Sequence, residues 1–260
     1  MRCGWGGDEN HSATPGIQSR ADSFMGLITV VRHGQASTFA KEYDRLTPTG
    51  HEQARQLGEY WADNGIGWDR VLIGPRLRHK QTEAEVAAVF RARGLPWPEA
   101  ERLDELDELD MARVILHLQE QGFSDTERAL QMHSVPEGER PQAMKAMLRY
   151  MVMVVKEFAG GRIPVPDDAE TWTDVQERAQ YALEFMARSG KSQRVVAFSS
   201  GGFTGLLVGS VLELANEKTI ELMMRVRNGS YTSFVYSPEG ITLHSFNSVP
   251  HLPPALWTLG

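Results

Sequence analysis

The run Leu27-Ile28-Thr29-Val30-Val31 constrains this chain more than any other stretch. Its length and β-branched composition are those of a buried strand in an open α/β sheet. Such sheets hold their ligands in a crevice at the carboxyl ends of the strands, which is where Arg32, His33 and Gly34 emerge. A guanidinium fork matches a phosphate, a neutral imidazole can attack phosphorus, and Gly34 lets the backbone turn close to a ligand. Taken alone, the tripeptide is more simply read as a strand end facing solvent. The order of the segments that follow argues otherwise.

After a polar loop, Thr47 is placed to cap a helix whose first residue is Pro48, since proline needs no N–H there and its φ is already helical. Ala54, Leu57 and Trp61 follow at helical spacing, and Asn64-Gly65 stops the helix. Trp68 to Ile73 reads as a second strand, and Arg76-Leu77-Arg78 stands at its end and opens a helix through Gln81, Val86, Val89 and Phe90. Arg194 to Phe198 is a further buried strand. The turn Ser199-Ser200-Gly201-Gly202 then feeds an apolar helix from Phe203 to Leu212, aiming backbone N–H groups and a positive dipole end at the same crevice.

The acidic run Glu101 to Asp110 reads as a solvated helix face or turn; it lacks the Gly and alternating oxygen ligands of a calcium loop. One of its carboxylates is a candidate general acid. Residues 111–171 form a helical, lid-like insert with a capping box at Ser124-Asp125-Thr126-Glu127. Its apolar stripe, Met144, Met147, Leu148, Met151, Val155 and Phe158, reads as core. Thr173 is expected to cap the next helix, and Tyr231 to Tyr236 with Ile241 to Phe246 form a hairpin at the sheet edge.

One domain is expected over residues 27–252. Residues 1–26, rich in Gly, Ser, Asp and Asn, read as a disordered tail, with Met25 as a candidate translation start, and residues 253–260 as a C-terminal tail. A net charge of -7 argues against a nucleic-acid surface, and no apolar run approaches the length of a membrane span. The single cysteine, Cys3, can form no internal disulfide, which fits a reducing, cytoplasmic setting. The oligomeric state is open.

In order and spacing, these segments resemble the histidine phosphatase superfamily, the phosphoglycerate mutase-like fold. Arg32-His33-Gly34 is similar to its signature, Leu46-Thr47-Pro48-Thr49-Gly50 to its LTPxG helix start, and Arg78-His79-Lys80-Gln81-Thr82 to its RAxQT segment. Leu103-Asp104-Glu105 sits where the family has its acid, and Asn247 to Leu252 resembles its late NxxxHL stretch. The resemblance implies an α/β fold with a mostly parallel central sheet and helices on both faces. It implies a hydrolase of small phosphate monoesters in which His33 accepts the phosphoryl group. Arg32 and Arg78 clamp its oxygens, with Gly34, Ser200 and Gly201 lining the site. Glu105 protonates the leaving oxygen; Asp107 and Glu108 are the other candidates for that role. Arginine forks supply the positioning and charge that phosphoryl transfer needs, so no metal or other cofactor is expected.

Where the family pattern has a second histidine before Gly-Gly, this chain has Ser200. A neutral hydroxyl there replaces a cationic donor, and charged donors are about twice as strong as neutral ones. Two alternatives to the phosphatase therefore stand: a weak or inactive relative that binds a phosphorylated ligand or protein, and a serine esterase using Ser199 at a degraded nucleophile elbow.

Overall fold

The computed structural model describes residues 25–37, 44–122 and 136–259. The expectations for residues 1–24 and for the capping box at Ser124 lie outside them.

Six strands form one sheet in the order β3-β2-β4-β1-β5-β6: β1 (Gly26–Arg32), β2 (Arg70–Ile73), β3 (Ala100–Arg102), β4 (Arg194–Ser199), β5 (Tyr231–Ser237) and β6 (Gly240–Ser248). The pairs β1–β4, β2–β4 and β2–β3 are parallel, whereas β5 pairs antiparallel with both β1 and β6, so that among these six strands β5 alone runs against the rest. The carboxyl ends of β1 to β4 therefore share one edge. The hairpin lies at the opposite side of the sheet, as its alternating pattern predicts.

The pleat divides the core between two faces. Val31, Val71, Val196 and Phe198 point to one face and pack with Leu57 and Trp61 of α1 (Pro48–Asp63) and with Val86 and Phe90 of α2 (Leu77–Ala92). Ile28, Val30, Leu72, Val195 and Ala197 point to the other. There they meet α3 (Met111–Glu120), α4 (Arg140–Ala159), α5 (Trp172–Ala187), α6 (Gly201–Val211) and α7 (Asn216–Met223). Helices thus cover both faces, and burial of the apolar strand residues on each side holds the sheet between them.

α1 begins as expected, with Thr47 Oγ1 accepting from Gly50 N at 3.1 Å and Pro48 at its first position. The acidic run opens with β3 and a single 3-10 turn, Asp104–Leu106, the turn of the two readings and not the helix face. Two features differ from the sequence reading. The cap of α5 is Thr171, not Thr173: Thr171 Oγ1 accepts from Asp174 N at 3.2 Å while Asp174 returns a bond to Thr171 N at 2.7 Å. Within α4 the apolar stripe is core only towards its end, where Val154, Val155 and Phe158 are buried, whereas Met144, Met147 and Leu148 are half-buried. The stretch after Leu252 is tied down, with Gln53 Nε2 donating to Leu256 O at 2.7 Å and Thr258 Oγ1 to Asn228 Oδ1 at 3.0 Å.

Candidate active site

His33 follows β1 directly, and its backbone is fixed on both sides. Its N–H donates to Ser199 O at 3.0 Å, and its carbonyl accepts from Gly229 N at 3.1 Å. The next residues are held by the two segments singled out in the sequence. Gly34 N donates to Thr82 Oγ1 at 3.1 Å, Gln35 N to Gln53 Oε1 at 2.8 Å, and Thr47 Oγ1 to Gln35 Oε1 at 2.9 Å. Gln81 Oε1 in turn accepts from Leu46 N at 2.9 Å. Gly34 and Gly50 touch backbone to backbone: a Cβ on Gly34 would lie 2.2 Å from Gly50 O, so neither position admits a side chain. The loop that carries His33 is thereby clamped against the starts of α1 and α2.

The imidazole itself is oriented by one short contact. His33 Nδ1 lies 2.7 Å from Gly34 O, a partner that can only accept. The ring hydrogen therefore sits on Nδ1, and Nε2 keeps its lone pair. Burial lowers the His33 pKa well below the usual histidine value, and the nearby Arg78 and Arg32 charges push it the same way. The ring is neutral at pH 7, the form that can act as a nucleophile.

Two guanidinium groups flank it. Arg32 is buried, donates through Nη1 to Val226 O, and lies against the start of α6; a Cβ on Gly201 would come within 2.9 Å of its Nε. Arg78, in the first turn of α2, is also buried and donates through Nη1 to Asp44 Oδ1 at 2.8 Å. Its Nη2 lies 3.4 Å from Ser200 Oγ at the end of β4. His79 Nε2 is 2.7 Å from the same hydroxyl, and the His79 ring centroid is 5.8 Å from that of His33. Among the described residues no group of three or more His, Cys, Asp and Glu side chains is placed to hold a metal ion. No helix among them is long and apolar enough to cross a membrane.

A sequence profile described as the histidine phosphatase superfamily (branch 1) matches residues 28–162 and 155–249. The chain belongs to the histidine phosphatase superfamily. Over 75 residues, 26% of this chain, it is 32% identical to a broad-specificity phosphatase of Saccharomyces cerevisiae, and that match spans 33% of the yeast protein's length. Its fold is similar to that of phosphoglycerate mutase from Bacillus anthracis, with a TM-score of 0.59, 18% identity, and coverage of 90% of this chain and 97% of the other. It is also similar to phosphoserine phosphatase from Entamoeba histolytica, with a TM-score of 0.57, 17% identity, and coverage of 88% and 100%.

The family's acid has three candidates here, and the fold treats each differently. Asp107 is paired with Arg76 Nε at 2.5 Å and accepts from Glu108 N. Glu108 caps α6: its carboxylate accepts from Gly202 N at 3.2 Å, Phe203 N at 3.1 Å and Leu109 N at 3.0 Å. This corrects the expectation that the Gly202 N–H faces a ligand, because the protein's own carboxylate already occupies that helix end. Glu105 lies in the 3-10 turn after β3, half-buried, and its carboxylate has no hydrogen bond or ion pair with any described residue. Arg178 of α5 fixes that turn from beneath, donating through Nη1 to Glu105 O at 2.8 Å and Asp107 O at 2.9 Å.

Ser199 does not suit the role of an esterase nucleophile. It is fully buried and spends its hydroxyl hydrogen on Leu106 O at 2.7 Å. Two site residues escaped the sequence reading. Asp44 sits in a polar loop with no local signal, and Arg178 acts on a turn more than seventy residues away. His251, in the late NxxxHL stretch, stands apart from this cluster, between the rings of Tyr60 and Tyr231.

Proposed function

We propose that this protein is a phosphatase that hydrolyses a small phosphate monoester through a phosphohistidine on His33. The observation that carries this reading is the state of His33: buried and neutral, with Nδ1–H committed to Gly34 O, Nε2 left as a lone pair, and the Arg78 and Arg32 charges close enough to act on the ring. In the first step Nε2 attacks phosphorus in line while Arg32 and Arg78 hold the equatorial oxygens. The bond from phosphorus to the ester oxygen breaks, and that oxygen takes the proton of the Glu105 carboxyl group. In the second step the Glu105 carboxylate takes a proton from water, the resulting hydroxide attacks phosphorus, and the N–P bond breaks. Inorganic phosphate leaves, and His33 returns to its neutral Nδ1–H form. The scheme uses no metal, and the single cysteine suits work in the cytoplasm.

Ser200 favours a second reading, a weak relative that binds phosphorylated ligands without turning them over. Trapping in alkali separates the two. Quenching the enzyme during turnover of labelled p-nitrophenyl phosphate should leave base-stable, acid-labile label on wild type and none on His33→Ala. Orthovanadate binding without label on His33 would leave only the binder. A screen of phosphorylated metabolites and phosphopeptides against the same pair of proteins then defines the substrate.

A further inference from the structure

The stretch from Asn247 to Leu252 is a family motif with no part in the phosphoryl-transfer scheme. Asn247 stands near the end of β6, where the register with β5 shifts between Tyr231 and Ser233. Its φ is 56°, in the left-handed region that Asn tolerates better than most side chains. Its planar amide serves two partners of the loop between α7 and β5: Nδ2 donates to Arg225 O at 2.8 Å, and Oδ1 accepts from Arg227 N at 2.7 Å. The amide therefore brackets Val226, a buried residue that belongs to neither element. The Val226 carbonyl is the one that accepts from Arg32 Nη1. Further along the same loop, Gly229 N donates to Arg32 O at 3.2 Å and to His33 O at 3.1 Å. Leu252, the last residue of the motif, packs on Gly229, where a Cβ would lie 3.5 Å from its Cδ1. The two ends of the motif thus hold the two ends of a loop on which Arg32 and His33 rest.

We infer that Asn247 is a positioning residue for phosphoryl binding: its amide fixes the Val226 carbonyl, and that carbonyl aims the Arg32 guanidinium at the oxygens of the group held beside His33. An arginine side chain has many rotamers, and a hydrogen bond to a carbonyl orients it only if the carbonyl is itself held. Few side chains meet the demands of position 247. Asp tolerates the same φ but brings no donor for Arg225 O, and Ser or Thr has a single polar atom to divide between a carbonyl and an N–H. Gly permits the backbone and removes the bridge. The inference rests on the phosphoryl-transfer reading of His33 and adds to it a residue that acts through the main chain of a distant segment.

Asn247→Gly keeps the backbone conformation and deletes the bridge. With orthovanadate as the probe it should weaken binding by about 10-fold, and it should lower kcat/KM for p-nitrophenyl phosphate by about 10-fold to 100-fold, the scale of a binding group displaced by a remote change. In an Arg32→Ala background the same substitution should cost nothing further, because the two residues act in series. Asn247→Asp keeps the bond from Arg227 N but sets an acceptor against Arg225 O; it should also weaken orthovanadate binding, and it serves as the test should the glycine variant fold poorly. Losses that multiply with those of Arg32→Ala would overturn the inference and leave the phosphatase reading standing. So would a lowered melting temperature in both Asn247 variants with unchanged orthovanadate affinity and unchanged kcat/KM. A wild type that neither turns over p-nitrophenyl phosphate nor binds orthovanadate would reject the phosphatase reading and the role of Asn247 with it.

Discussion

Asp44 serves Arg78 twice. Its Oδ1 pairs with the Arg78 guanidinium at 2.8 Å, and its Oδ2 accepts from Leu77 N at 2.7 Å, capping the helix that carries Arg78. One carboxylate thus starts α2 and fixes the Arg78 guanidinium, the proposed clamp. Asp44→Ala should lower stability by about 1 kcal/mol through the lost cap. It should also raise KM by about 10-fold as the guanidinium loses its fixed orientation. Thermal denaturation and steady-state kinetics check both, and a stability loss with unchanged KM would confine Asp44 to capping.

The three acidic candidates make separable predictions. Glu105→Gln should lower kcat by about 100-fold or more on an alkyl phosphate, whose leaving oxygen needs a proton, and by much less on p-nitrophenyl phosphate, whose leaving group does not. Glu108→Gln should act mainly on stability, by about 1 kcal/mol, because its carboxylate caps α6. A leaving-group-dependent loss in Glu108→Gln and not in Glu105→Gln would reverse the assignment.

Acid should affect folding before it affects the nucleophile. Burial lowers the pKa of His33, His79 and His251, the last to about 4. Below pH 6.5 the unfolded chain binds protons at these histidines and the folded protein does not, so stability falls as pH falls through that range. For His251 alone the shift from 6.5 to about 4 corresponds to roughly 3 kcal/mol over that window. His251→Phe, which keeps a ring between Tyr60 and Tyr231, should flatten the decline in melting temperature between pH 6.5 and 5, where few carboxylates titrate. At the active site the depressed pKa of His33 places the acid limb of kcat/KM well below pH 6.5. A limb at 6.5 would show a His33 exposed to water.

Ser200→His alone should fail to improve the enzyme. Ser200 and His79 are both fully buried with 2.7 Å between their polar atoms, which leaves no volume for a second imidazole, and overpacking of this kind costs about 1–3 kcal/mol. The exchange His79→Ala with Ser200→His vacates that volume and returns the ring to the end of β4. Its kcat should exceed that of either single variant, and an exchange slower than both would show that the crevice does not accept a ring from that side.

Local pattern carried much of this fold. The β-branched runs at Leu27 and Arg194, the Thr47-Pro48 helix start and the hairpin after Tyr231 were legible because period, capping and turn chemistry act over a few residues. Elements without such signals were not. β3 has three residues and two exposed charged side chains, and α7 is an eight-residue helix with no side-chain cap. The start of α5 had two threonines two residues apart, and only the pairing with Asp174 chose Thr171.

The sequence by itself determined the residue types at the crevice: Arg32 and His33 after one strand, Arg78 after another, Ser200 after a third, and a run of acids between the last two. It also determined the family, through motifs whose hydrogen bonds prove to hold the His33 loop in place. What only the tertiary structure decided is which of these groups touch. The register that sets Ile73 beside Phe198 brings the end of β2 next to the end of β4, and so brings His79 to Ser200 across 121 residues. Arg178 reaches the Glu105 turn across 73, and Glu108 takes the end of α6 from any ligand. Contacts of this kind depend on strand order and side-chain packing between distant segments, which no local periodicity encodes.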